Sequence, residues 1–73
     1  MAGTPARFTP EHWPIIVSVI RRELGPERAT LAEAMASEGT TTGVRVRLLR
    51  HGARETHDLL LLKALDKALG ELR

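Results

Sequence analysis

Only one stretch of this chain, Val44-Arg45-Val46-Arg47-Leu48, alternates apolar and charged residues with the period of two that a β-strand requires. Gly43 and the three threonines before it also disfavour a helix there. A lone strand leaves its backbone N–H and C=O groups unpaired, and no other segment offers it a partner. Two fold classes remain. The chain is mainly α, a small bundle of three to four helices that takes in this segment, or it is α+β with one strand pairing with its copy across a dimer. In the helical alternative Val44 and Leu48 stand i, i+4 on one face, while Arg47, Arg50 and Arg54 line another.

The rest of the chain reads as helix. Thr9-Pro10-Glu11 has the form of a helix start, with Thr9 as the N-cap and Pro10 at the first position, although Pro14 delays the regular helix to near Trp13. Trp13, Ile16, Val17, Ile20 and Leu24 make one apolar face, which Gly25-Pro26 ends. Ser18 is expected to be a buried small residue. A second helix runs from Pro26 to about Ser37 with Leu31, Ala34 and Met35 as its apolar side, and Gly39 ends it. Its alanines at 29, 32, 34 and 36 make it thin enough for neighbours to approach closely. The last helix starts near Arg54 to Thr56 and reaches about Leu72. Its main stripe is Leu61, Leu62, Leu65, Leu69 and Leu72, and Leu59 and Leu60 widen the apolar arc.

Seventy-three residues make one small domain, here residues 9–73 behind a flexible arm at 1–8, where Gly3, Thr4 and Pro5 interrupt any periodicity. The single core of such a chain seldom supplies more than about 3–5 kcal/mol. Phe8 and Trp13 are the only aromatics, and the lack of cysteine excludes disulfides and thiolate metal sites. A partner subunit is the cheapest further support. The wide apolar arc of the last helix therefore points to a homodimer contact, or to a protein partner, through Leu59, Leu60, Leu62 and Leu69.

The net charge of +2 implies no particular partner, but its distribution is uneven. Between Thr40 and His57 stand Arg45, Arg47, Arg50 and Arg54 against Glu55 alone, a net of +3 before His51 and His57 are counted. Four arginines and no lysine suit recognition of phosphates or base edges, because a planar guanidinium donates two parallel hydrogen bonds. The competing account has these arginines solvated, or paired with the glutamates of the first half.

Leu31-Ala32-Glu33-Ala34-Met35, then Ser37-Glu38-Gly39-Thr40, then Val44-Arg45-Val46-Arg47-Leu48 with Arg50, resembles the helix-turn-helix of bacterial DNA-binding regulators, most closely sigma-factor region 4 and related effector domains. The resemblance covers about a third of the chain, and Thr41, Thr42 and Gly43 look like an insertion before the second helix. It implies a DNA-binding protein, a transcriptional regulator, whose second helix lies in the major groove. Thr40, Thr41 and Thr42 would then meet phosphate at that helix's N-terminus, Arg45 and Arg47 would reach base edges or phosphates, and Arg50 and Arg54 would hold the backbone. The strand alternative is similar to ribbon-helix-helix repressors, with Arg45 and Arg47 on one face of a two-stranded ribbon, but only one helix follows the segment here. DNA is favoured over RNA, since no stacking aromatics lie near the arginines.

Arg50-His51-Gly52-Ala53-Arg54 is similar to the RHGxR signature of histidine phosphatases, and His57-Asp58 to a downstream acid pair. That chemistry needs convergent cations and a water-excluding cleft on a large α/β domain, for which this chain is too short. His51 is expected at a turn or helix end beside Gly52. His12, His51, His57 and Asp58 lack the i, i+4 spacing of helical zinc ligands, so no metal, cofactor or catalytic residue is expected, and the chain does not read as an enzyme. Neither Ile15–Ile20 nor Leu59–Leu62 is long enough to span a bilayer, and the start has no apolar leader, so the expectation is a cytoplasmic protein that binds no membrane.

Overall fold

The computed structural model describes residues 8–72. The described residues form four α-helices, α1 (His12–Leu24), α2 (Pro26–Ala34), α3 (Thr42–Glu55) and α4 (Leu59–Glu71), with a 3₁₀ turn at Met35–Glu38 and no strand. The fold is the small helical bundle, and the cross-dimer strand is overturned: residues 44–48 satisfy their backbone groups inside α3. The helix wins because a segment with no second strand to pair with closes its hydrogen bonds only on itself. The flexible arm expected at 1–8 lies outside the described residues except for Phe8, which packs against the core.

α1 begins at His12, and Pro14 sits in its first turn, where a missing N–H costs nothing because no intrahelical acceptor exists for it. Thr9 is not the N-cap. Its carbonyl accepts from the His12 amide at 3.1 Å, its own amide donates to His12 Nδ1 at 3.1 Å, and Glu11 stands at the cap. Gly25 ends α1 at φ 101°, a value open to glycine, and Pro26 starts α2 without any linker.

α1 packs on both α2 and α4, and α3 packs mainly on α4. Being covered on two sides, α1 buries Val19 as well as Trp13, Ile16, Val17 and Ile20, whereas Ser18 is exposed, contrary to expectation. α2 corrects the sequence reading most clearly. It buries Ala29 and Ala32, while Leu31 is 68% exposed, Ala34 is exposed and Met35 is half-buried. An alanine face lets α2 lie close to α1, whereas leucine there would hold it away.

α3 is capped by Thr41, whose Oγ1 accepts from the Val44 amide at 3.3 Å. It closes through His57, at φ 56°, with the Asp58 amide donating to Ala53 O at 2.8 Å. The last helix therefore does not start at Arg54–Thr56. Those residues complete and cap α3, and α4 starts at Leu59, with Asp58 as its cap accepting from the Leu61 amide at 3.1 Å. α4 adds Leu65, Ala68 and Leu69 to the core, and α3 adds Val46.

Candidate nucleic-acid interface on α3

The inward side of α3 is made by Thr42, Val46 and Ala53, all buried, with Leu49 half-buried beside them. Helical geometry then puts Arg47, Arg50, His51 and Arg54, at i, i+3, i+4 and i+7, along one outer side. Arg47, His51 and Arg54 are exposed and Arg50 is half-buried. His51 lies in the body of α3, not at a turn or helix end, because the helix runs through Gly52 to Glu55. Its place on the ridge could have been read from its i, i+4 relation to Arg47.

The ion pairs decide where positive charge is left over. Arg21 meets Glu33 at 3.3 Å, Arg22 meets Glu23 at 3.3 Å and also Glu71, Arg28 meets Asp58, and Lys67 meets Glu23 at 3.1 Å. The glutamates of the first half that form pairs are thus bound to α1 and α4, not to α3. Among the described residues Arg45, Arg47, Arg54 and Lys63 form no ion pair. Arg50 lies 3.9 Å from Asp66, which is 80% exposed, so water screens the pair.

The three threonines and Arg45 work inside the fold. Thr40 Oγ1 accepts from Arg45 Nε at 2.9 Å and donates to Met35 O at 3.4 Å. Thr41 caps α3, and buried Thr42 donates to Thr9 O at 2.9 Å. Arg45 also bonds the Thr40 carbonyl, and its guanidinium carbon lies 5.2 Å from the centroid of the Trp13 ring. The sequence carried no local signal for that contact, since Trp13 and Arg45 belong to different helices.

The expected apolar interface divides in the same way. Leu59 and Leu60 are 72% and 66% exposed, Leu62 is half-buried, and Leu69 is not available because it belongs to the core. Leu69 turns inward with Leu65 one helical turn away, whereas Leu59 and Leu60 start the helix on its exposed side. Arg50-His51-Gly52-Ala53-Arg54 is continuous helix. Two shallow clefts flank α1, one lined by Trp13, Pro14, Val17, Arg21, Glu33 and Ala36, the other by Ile20, Arg28, Leu31, Ala32, Leu49 and Leu61. Neither contains a histidine. No group of three or more metal-ligating side chains occurs among the described residues, and no helix there is long and apolar enough to cross a membrane.

Seven residues, 35–41, separate α2 from α3, more than the three or four of a helix-turn-helix corner. α2 packs on α1 and α3 on α4, so the two helices of the resemblance are not each other's main partners. Comparison with protein families, with curated proteins and with solved structures finds no match to the chain.

Proposed function

We propose that this chain is a small nucleic-acid-binding protein that lays the outer side of α3 against the phosphates of duplex DNA. One observation carries the reading. The arginines of α1 and α2 are paired with carboxylates, whereas Arg47 and Arg54 stand unpaired on one side of a regular helix with Arg50 and His51 between them. An exposed α-helix fits the major groove, and phosphate contacts from arginine set affinity and register. The proposal rests on this charge ridge. The order α2, turn, α3 follows a helix-turn-helix, but the long connection gives that resemblance little weight. A role in transcription and a cytoplasmic location go with the reading.

The test is a titration of a fluorescent duplex at several salt concentrations. If Arg47, Arg50 and Arg54 each neutralise one phosphate, log K falls with log salt at a slope of about −2.7. The Arg47→Ala/Arg54→Ala variant brings the slope to about −0.9. A wild-type protein that shows no affinity at low salt, or a variant that binds equally well, refutes the reading.

A second reading has its own observation. Leu59 and Leu60 project from the start of α4 with most of their surface in water, which suits a contact with a protein partner or a second copy of the chain. Leu59→Ser/Leu60→Ser then removes association without touching the ridge, and sedimentation of both forms reads it.

A further inference from the structure

Arg45 and Arg47 cannot serve the same surface. Two residues apart on a helix they project about 200° from each other. With Arg45 held on Trp13, Arg47 is turned to the outside, and the guanidinium of Arg45 is already committed. Its Nε donates to Thr40 Oγ1 at 2.9 Å, Nη2 donates to the Thr40 carbonyl, and its plane approaches the face of a buried indole at 5.2 Å. A planar fork can make these contacts together, which a lysine ammonium cannot. Thr42 ties the same turn of α3 to Thr9, in the segment that enters α1. α3 packs mainly on α4, and these two ties join its N-terminal turn to Trp13 of α1 and to the segment that enters α1.

We propose that Arg45 is the positioning residue of the α3 ridge, locking the first turn of α3 to Trp13 and the Thr40 loop without touching nucleic acid itself. The proposal rests on the reading of α3 as the binding element and assigns the one arginine of the segment that the ridge does not use. Loss of Arg45 lets the N-terminal half of α3 move relative to the bundle, so Arg47, Arg50 and Arg54 no longer meet successive phosphates in one rigid arrangement. The number of phosphates neutralised stays the same. Affinity and salt dependence therefore separate a positioning arginine from a contacting one.

The experiment measures duplex binding against salt for the wild-type protein and for Arg45→Ala, Arg45→Lys, Thr40→Val, Arg47→Ala and Arg47→Lys. Each is used at a temperature where circular dichroism shows it folded, and the fluorescence of Trp13, the only tryptophan, is recorded for the free proteins. Arg45→Ala and Thr40→Val are expected to weaken binding about tenfold at every salt concentration with the slope unchanged. Arg45→Lys keeps the charge and recovers little, and both Arg45 variants shift the Trp13 emission. Arg47→Ala lowers the slope by about 0.9 and Arg47→Lys keeps most of the affinity. Thr40→Val carries the test if Arg45→Ala does not fold. The proposal is overturned if Arg45→Ala lowers the slope as Arg47→Ala does, if Arg45→Lys restores wild-type affinity, or if neither Arg45→Ala nor Thr40→Val changes binding. Failure of the wild-type protein to bind at low salt is a different outcome, which removes the α3 reading and this assignment with it.

Discussion

Asp58 joins three helices through one side chain and one amide. Its amide closes α3 on Ala53, its carboxylate caps α4 at Leu61, and Oδ2 takes Arg28 from α2. The Leu61 amide, and after it Arg28, hold its carboxyl below the ordinary value of 3.8. Lys67 and then Arg22 do the same for Glu23, whose ordinary value is 4.5. Both groups bind protons less readily folded than unfolded, so their stabilisation is present above those ordinary values and is lost as pH falls through the depressed ones. Asp58→Ala is expected to cost about 1 kcal/mol through the cap, a fall in Tm of about 4–8 °C at pH 7. Asp58→Asn, which can still cap, is expected to cost less at neutral pH, and its Tm should approach the wild-type value as pH falls through the depressed pKa of the Asp58 carboxyl. A gap between the two that stays constant from pH 7 to pH 2 would contradict the role assigned to the carboxylate. His57 sits at φ 56°, where an L-residue is strained by roughly 1 kcal/mol and glycine is not. His57→Gly should therefore raise Tm by a few degrees in a thermal melt, and a fall would show that the imidazole makes a contact worth more than the strain. This corner was poorly legible in the sequence, because Leu59–Leu62 reads as the middle of an apolar helix and nothing local marks His57 as left-handed.

At the scale of elements, α1 was legible almost residue by residue, because five apolar positions at helical spacing outweigh any competing pattern. Val19 was left out of that face because spacing shows one face while α1 is covered by two neighbours, and Ser18, expected inside, is exposed. α2 was misread for a related reason. Leu31 is the most apolar residue of its middle, yet the packing distance to α1 selected Ala29 and Ala32. α3 shows a period-two pattern overridden by the want of a partner strand. Its Gly52 lies in the helix interior with nothing within 4 Å of where a Cβ would stand. Gly52→Ala should therefore stabilise the protein by about 1 kcal/mol in chemical denaturation. Loss of stability in that variant would mean that the surface beside Gly52 is occupied in the folded state.

For the whole molecule the core is narrow. Ile16, Ile20, Leu65 and Val19 are its largest fully buried side chains, each worth about 1.5–3 kcal/mol of burial. Leu65→Ala is expected to cost about 2–5 kcal/mol, comparable with the whole stability of a domain of this size. Circular dichroism at 25 °C should then show a largely unfolded population, and a cooperative melt close to the wild-type Tm would contradict the core described. The charge ridge was legible as an arginine cluster. Helical spacing also grouped Arg47, Arg50 and Arg54, but it did not show the withdrawal of Arg45, since that depends on a rotation of α3 that turns Val46 and Ala53 inward and leaves Leu48 48% exposed and Val44 half-buried. Nuclear magnetic resonance of the ¹⁵N-labelled protein titrated with a short duplex tests the proposal that α3 is laid on DNA. Amide shifts are expected to concentrate at residues 47–54 and to reverse with added salt, with α1 and α2 unmoved. Shifts confined to the start of α4, or none at low salt, would contradict the proposal.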